Sequence, residues 1–368
     1  MSDNISLMIG GQVHDRWRRY RVDSDLLMPA DDWDMTAAVT PGEGQASDVP
    51  DFVYEGAKSQ LRIGDDLILD GILDTIDHDV SKRGNIMELY GRDRASLMLD
   101  CSAPLLTMQK ATLEQVVKKA VASLSIKQVE YRAKPSAPAE KVHTEPGQSV
   151  WEWLQAACEV NQVWPWMAPN GTLIIGAPNY DTAPAADLIL RRDGSGNVRQ
   201  LRRVRSIHKS YSEITVYGQS PGTEGEQGGN VKGVVTDDTV PLYRPRVVID
   251  GNCDSDELAE QRANKIMADG KMARDNFHAR VEGHRVGIAN NEGVPWEPGM
   301  RVNVYSEPHG VSAIYFLIRR TFTLSKQEGR QTELLLVPDR TWLLNIPFLK
   351  AKRRKGYGTR KGHYVESD

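Results

Sequence analysis

The stretch VEGHRVGIANNEGVPWEPGMRVNVYSEPHGVSAIYFLIRRTFTLSKQEGRQTELLLVP, Val281 to Pro338, decides the fold. Three runs in it, Met300–Tyr305, Ile314–Leu324 and Thr332–Val337, are rich in β-branched and aromatic residues and bounded by Pro, Gly, Asn or Ser. Thr321, Thr323 and Ser325 alternate with Phe322 and Leu324, the period of two expected of a strand with one wet face. Gly329 sits in the turn KQEGR, where a positive φ costs a glycine nothing. The pattern predicts an antiparallel meander and excludes a helical or dinucleotide-binding reading of this segment.

A second copy lies upstream in RIGDDLILDGILDTIDHDVSKRGNIMELYG, Arg62 to Gly91. Gly64-Asp-Asp-Leu-Ile-Leu parallels Gly299-Met-Arg-Val-Asn-Val, and Ile72-Leu-Asp-Thr-Ile parallels Ile318-Arg-Arg-Thr-Phe. Ser81-Lys82, a Gly turn and Glu88-Leu89 parallel Ser325-Lys326, a Gly turn and Glu333-Leu334. Two copies this far apart are not a solenoid, whose repeats run about 20–50 residues. They predict one β-domain used twice with other material inserted, set against chance recurrence of strand–Gly–strand patterns.

The 368 residues exceed one ordinary core and predict two to four domains. With 40% hydrophobic and 26% charged residues, the composition is that of a globular chain. No apolar run approaches the roughly 20 residues of a membrane helix, so no membrane insertion is expected. The N-terminus lacks a basic region followed by an apolar one, so no secretory signal is expected. Cys101, Cys158 and Cys253 stand far apart with no CxxC, which points to synthesis in a reducing compartment and away from a disulfide scaffold or zinc site. The net charge of −4 is uneven: from Lys350 onward seven Lys/Arg face Glu366 and Asp368, leaving the tail at +5 and the rest at −9. An acidic body is not the footprint of a general nucleic-acid binder.

In chain order, residues 1–103 read as strands and loops, with Thr40–Pro50 a loop by composition. Residues 104–185 read as an α/β insert. Thr112 with Gln115 and Ser149 with Glu152 form capping boxes that open two helices. Val163–Ala168 and Thr172–Gly176 form a hairpin whose Pro165 suits an edge strand, and Ala133–Glu140 is a linker or exposed loop. Residues 186–221 with 278–345 form the second β-domain, and 222–277 hold a Gly-rich loop and a helix capped by Asp254 or Ser255. Residues 346–368 are a basic, flexible tail.

Catalytic readings fail on spacing. GQSPG at Gly218–Gly222 matches G-x-S-x-G, but a Gly-rich loop follows Ser220 where a nucleophile elbow needs a helix. The eight histidines do not cluster, and His278 and His284 lack metal-ligand spacing. The pairs Asp31-Asp32, Asp65-Asp66 and Asp237-Asp238 read as solvated acids. On a strand, Asp77 and Asp79 share one face with His78 on the other. Gly194–Gly196 is a tight turn. Trp151, Trp153, Trp164 and Trp166 are able to stack on a sugar or base, but their spacing favours local core. No catalytic, cofactor-binding or metal-binding residue is assigned, and no enzyme is expected.

GRDRASLMLDCSA (Gly91–Ala103), VYGQ (Val216–Gln219), YRPRVVID (Tyr243–Asp250), the Ala-rich helix and PGMRVNV (Pro298–Val304) follow one another in an order and spacing that resembles the baseplate hub proteins of Mu-like contractile phages. The resemblance runs from about Ser6 to Trp342, and extends to the T-even phage hub and the N-terminal part of type VI secretion spike proteins. It implies an α+β, β-rich fold in which the two β-domains are similar antiparallel barrels. It also implies a homotrimer, a pseudo-sixfold ring joining a sixfold tail tube to a threefold spike around a DNA exit channel. The expected partners are the tail spike, the tube and other baseplate proteins, with DNA passing through the channel without specific binding. The location is the virion tail baseplate, after synthesis in the bacterial cytoplasm.

Strands with little hydrophobic alternation, such as Val198–His208, would then be buried between chains. Lys352, Arg353, Arg354, Lys355, Arg360 and Lys361 of the tail are expected to dock on an acidic face of the spike or a neighbouring tail protein, or else only to solubilise the terminus. Two other readings are a glycan-binding or hydrolysing tail component with the tryptophans as its platform, and a secretion spike base. The absence of a fused needle domain disfavours the second.

Overall fold

A computed structural model describes residues 3–39, 49–82, 84–124, 126–132, 139–160, 163–219, 230–250, 253, 255–287 and 293–341. The loop 40–48, most of the linker 133–140, the loop 223–229, Ser220 and the basic tail lie outside them. The first 93 residues hold β1 (Ile5–Ile9), β2 (Gln12–His14), β3 (Arg19–Asp25), β4 (Asp32–Ala38), β5 (Lys58–Ile63), β6 (Asp66–Ser81) and β7 (Gly84–Asp93). Then come α1 (Ser96–Asp100), β8 (Thr107–Ala111), α2 (Leu113–Val121), β9 (Val129–Arg132), β10 (Ala139–His143), α3 (Val150–Val160), β11 (Trp164–Met167) and β12 (Leu173–Gly176). The rest is β13 (Ala186–Leu190), β14 (Gln200–Arg205), β15 (Glu213–Gln219), β16 (Asn230–Thr236), β17 (Pro245–Ile249), α4 (Asp256–Arg274), β18 (Asp275–Glu282), β19 (Arg301–Ser306), β20 (Val311–Ser325) and β21 (Gly329–Pro338).

The two meanders are β5–β6–β7 and β19–β20–β21, and each is a long central strand flanked by two shorter partners. The register slips in β6 between Leu73 and Thr75 and in β20 between Leu317 and Arg319. Both bulges fall eight residues before the serine that opens the hairpin, Ser81 or Ser325. This aligns Ser81 with Ser325 and Glu88 with Glu333, as the sequence suggests. It corrects the upstream pairing. Gly64, with φ of 59°, lies in the turn between β5 and β6, whose counterpart is the turn between β19 and β20 that holds Gly310, with φ of 63°, whereas Gly299 precedes β19. The bulges likewise set Ile72 against Phe316, not Ile318.

Where separate closed barrels were expected, the pairing runs on from one half to the other. β3 pairs with β20 through Arg319↔Asp25 to Leu324↔Tyr20, and the strands β14-β18-β21-β20-β3-β4-β7-β6-β5-β1-β2 form one path. With β13 and β19 alongside, the sheet has thirteen strands. Among the described residues no strand pairing closes either half on itself. The physical reason is alternation: Tyr20 and Val22 of β3 point to the same side as Phe322 and Leu324 of β20, so joining the edges buries both sets in one core. That core takes Ile5, Tyr20, Trp33 and Met35 from the first half and Phe277, Phe322 and Leu336 from the second, all nearly fully buried.

Polar groups lock the same junction from within. His284 is fully buried; its Nε2 lies 2.7 Å from the Tyr20 hydroxyl and its Nδ1 lies 3.1 Å from Thr332 Oγ1. The His284 amide donates to Asp3 Oδ2. Arg320 donates to the carbonyls of Trp296 and Val22, and its guanidinium stands 3.9 Å over the Phe322 ring. Burial holds Arg320 down to about 10 and His284 down to about 3, and pushes Asp31 up to about 7.

α1–α3 and β8–β12 pack around a second core of Val116, Val117, Trp151, Trp153, Leu154 and Leu173. Both capping boxes are present: Gln115 N–H donates to Thr112 Oγ1 while the Thr112 amide donates to Gln115 Oε1, and Ser149 and Glu152 exchange the same pair. β11 is an edge strand, which accommodates Pro165. The core begins at Ala95, earlier than the expected insert boundary. β15, expected within the second β-domain, pairs instead with β16 and β17 in a separate sheet under α4. Ile214 and Val216 bury themselves there against Ala259, Ala263 and Met267. Gly233 permits the contact, since a Cβ would stand 2.1 Å from Glu260 N.

Candidate functional site

On the side of the large sheet facing away from the core, Phe316 and Val337 pack with Leu26 and Met272 before the β20 bulge, whereas beyond the bulges of β6 and β20 that side is a largely polar face. Row by row it holds Arg202 opposite His278 and Arg280 opposite Glu333. Thr321 stands opposite Asp23 across the junction, and then come Arg21 opposite Asp34 and Thr36 opposite Glu88. Asp77 pairs with Glu88 at the far end, with Asp79 next on the same side. Carboxylates outnumber guanidinium groups along these rows. Several are cross-strand ion pairs: Arg19–Asp34 at 2.8 Å, Arg280–Glu333 at 2.8 Å and Arg21–Asp32 at 2.5 Å. Such pairs contribute about 0–1 kcal/mol each, so the face owes its shape to the sheet beneath it. Partial burial raises the Asp34 carboxyl, and the Tyr90 hydroxyl, donating to Glu88 at 2.6 Å, is also raised. His278 is lowered by burial and by Arg202 and Arg319.

The Gly-Arg-Asp box proves structural. Gly91 lets β7 lie against the Trp33 indole, Arg92 reaches Asp74 at 2.7 Å and Asp100 at 2.7 Å, and Asp93 Oδ1 accepts from the Ala95 amide at 2.8 Å. This fixes how the chain leaves β7 and enters α1. Burial together with Asp31 raises the Asp93 carboxyl well above the usual range.

The residues weighed as chemistry do not converge. Trp151 and Trp153 are 2% exposed, as core residues should be. Trp164 and Trp166 pack away from that core, against Leu26 and Phe316, and the Trp164 indole donates to the Leu26 carbonyl at 2.6 Å. Asp66 pairs with Arg285 at 2.6 Å, and Asp237 accepts from Thr239. Cys158 is buried and its thiol is pushed up by that burial. Among the described residues, no group of three or more His, Cys, Asp or Glu is placed to hold a metal ion, and no helix is long and apolar enough to cross a membrane. Ser220 and the tail cations Lys352, Arg353, Arg354, Lys355, Arg360 and Lys361 lie outside the described residues. Sequence reasoning missed the two free strand edges described below. Their signal was present, in the uniform charge of Arg202, Arg203 and Arg205 and of Asp74, Asp77 and Asp79.

Four family models match in succession. Residues 4–93 match the N-terminal domain of the Mu phage baseplate assembly protein GpP-like family, and 95–177 the second domain of baseplate hub protein gp44-like. Residues 210–267 match the third domain of tail protein NMB1110-like, and 269–341 a tail protein C-terminal domain. The solved tail protein of Neisseria meningitidis MC58 is 32% identical, with a TM-score of 0.78, over 92% of this chain and 97% of that one. The chain belongs to the family of Mu-like phage tail and baseplate hub proteins.

Within that family, baseplate hub protein gp44 of Escherichia phage Mu is 23% identical over 97% of this chain and 93% of its own length. The 43 kDa tail protein of prophage MuSo2 from Shewanella oneidensis shares the fold with a TM-score of 0.79 at 19% identity, over 92% and 99% of the two chains. The likeness of fold reaches a type VI secretion component of E. coli, itself described as similar to the T4 tail proteins gp27 and gp5. It is 10% identical with a TM-score of 0.55, over 90% of this chain and 76% of that one. The hub family thus accounts for the order of segments on which the sequence resemblance rests.

Proposed function

We propose that this chain is the structural hub of a contractile phage tail, without catalytic activity. Three copies close a ring that joins a sixfold tube to a threefold spike and surrounds the channel through which DNA leaves. The observation that carries this reading is the sheet itself, which passes through two equivalent meanders and, beyond their bulges, presents a largely polar face. Threefold closure of a chain with two similar β halves, each barrel-like once a neighbour is added, makes six quasi-equivalent positions.

In this reading the polar face lines the channel. Its excess of carboxylates suits a passage for DNA, because each phosphate neutralised by Lys or Arg tightens binding and slows transit. The hub resides in the virion baseplate after synthesis in the host cytoplasm, with the spike, the tube and other baseplate proteins as neighbours. The basic tail docks on an acidic face of the spike, drawn there by charge. The glycan-platform alternative loses Trp151 and Trp153 to the core.

Electron microscopy of the purified protein tests the reading. Class averages should show a ring with a central opening and six quasi-equivalent lobes; compact particles without an opening would refute it. Truncation after Leu349 should weaken co-purification with the spike at low salt. Unchanged recovery would leave the tail a solubilising terminus.

A further inference from the structure

The two halves correspond strand for strand. β3-β4-β7-β6 in the first half matches β14-β18-β21-β20 in the second, with the bulges of β6 and β20 in register. Beyond its bulge, β20 has β21 on one side and β3 on the other. The equivalent segment of β6, Thr75 to Val80, has β7 on one side; on the other, β5 pairs only as far as Ile72. β14, the counterpart of β3, ends the sheet with β18 on one side alone. Among the described residues, each chain therefore carries two open edges that are the two halves of a junction it already makes once.

We propose that β14 of one copy pairs antiparallel with β6 of a second copy beyond its bulge, repeating between chains the β3–β20 junction within the chain. The inference rests on the ring reading and deepens it by naming the edges that close the ring. Transferring the register of the internal junction places Leu201 opposite Val80, Arg202 opposite Asp79, Arg203 opposite His78 and Val204 opposite Asp77.

Three observations select a second copy as the occupant. The register keeps both faces intact: Arg202 and Asp79 are exposed on the polar side, and Leu201 and Val80 fall on the core side. Val80 is 65% exposed, whereas its counterpart Leu324 packs on the core beside Tyr20; the missing cover is the leucine of the neighbour. Finally, the side chains of Arg202, Asp77 and Asp79, on strands paired through their backbones, make no hydrogen bond or ion pair among the described residues. One edge is basic and the other acidic, so each repels itself and attracts its complement. That favours a head-to-tail contact, which closes into a ring, over a twofold dimer. An open edge left unpaired is an aggregation hazard, and neither segment carries the Pro or Lys that usually blunts one.

The test uses the full chain with Asp79→Cys and Arg202→Cys combined, oxidised mildly and read on a non-reducing gel with peptide mapping. The expected result is a ladder to the trimer held by 79–202 disulfides, absent from either single variant. In parallel, Asp79→Arg or Arg202→Asp alone should raise the concentration for half-assembly at least tenfold, and the two together should restore it. A trimer by light scattering that forms no 79–202 disulfide and ignores both reversals overturns the edge pairing and leaves the ring reading standing. A chain monomeric at every concentration overturns both.

Discussion

Replacing His284 with alanine is expected to destabilise the protein by about 3–5 kcal/mol, the sum of a buried cavity and polar groups left without partners. The ring packs against Phe322 and Tyr20, with centroids 4.6 Å and 5.7 Å away, and its nitrogens reach Tyr20 and Thr332. It therefore holds β3 of the first half against β21 of the second. The pH dependence identifies the mechanism. His284 is depressed to about 3 by burial and by Arg320 and Arg330, against an ordinary 6.5. Unfolding lets it take up a proton below pH 6.5, so its contribution is complete above that value and is lost as pH falls towards 3. The gap between parent and variant in urea unfolding should shrink between pH 7 and pH 4.5. An equal gap at both would mean that the ring is not buried in its neutral form.

The second large effect is expected from Gly91→Val. A Cβ at this position would stand 2.3 Å from the Ile72 carbonyl oxygen and 2.4 Å from the Trp33 ring, neither of which has room to yield. Trp33 is 2% exposed in the core, and Ile72 belongs to the paired part of β6. Overpacking of this kind costs about 3 kcal/mol, and the γ methyls of valine add to it. The unfolding midpoint in urea should fall sharply with the slope unchanged. Gly329→Ala is the contrast: nothing lies within 4 Å of its Cβ, and only the positive φ of 70° opposes the change. A loss at Gly91 no larger than at Gly329 would refute the close approach.

The local grammar of this fold was legible in the sequence. Thr112/Gln115 and Ser149/Glu152 announce helix starts because both partners of a capping box lie three residues apart. The meander around Phe322 shows because a half-wet strand repeats every second residue. What stayed hidden depends on partners far along the chain. Tyr20 pairs with Leu324, and His284 binds Tyr20 and Thr332, across separations that leave no local pattern. For the same reason β15, expected in the second β-domain, belongs to another sheet, since Ile214 and Val216 would suit either core. Gly299 was matched to Gly64 because both precede a Val- or Leu-rich run; only the strand pairing shows that Gly64 lies in the turn between β5 and β6, whose counterpart is the turn between β19 and β20 that holds Gly310. Among the polar strands, Asp77 and Asp79 read only as two carboxylates on one strand face when taken alone. The free edge of β14 proposed to complement them lies far along the chain.

As a hub, this chain would work as a closed ring of three. Absolute mass by light scattering after size exclusion tests it most directly, at several protein concentrations and at low and high salt. With a chain of 41.1 kDa, a single species of about 123 kDa is expected, losing mass as salt screens the proposed Arg202–Asp79 contact. A monomer at every concentration, or a twofold dimer, would contradict it.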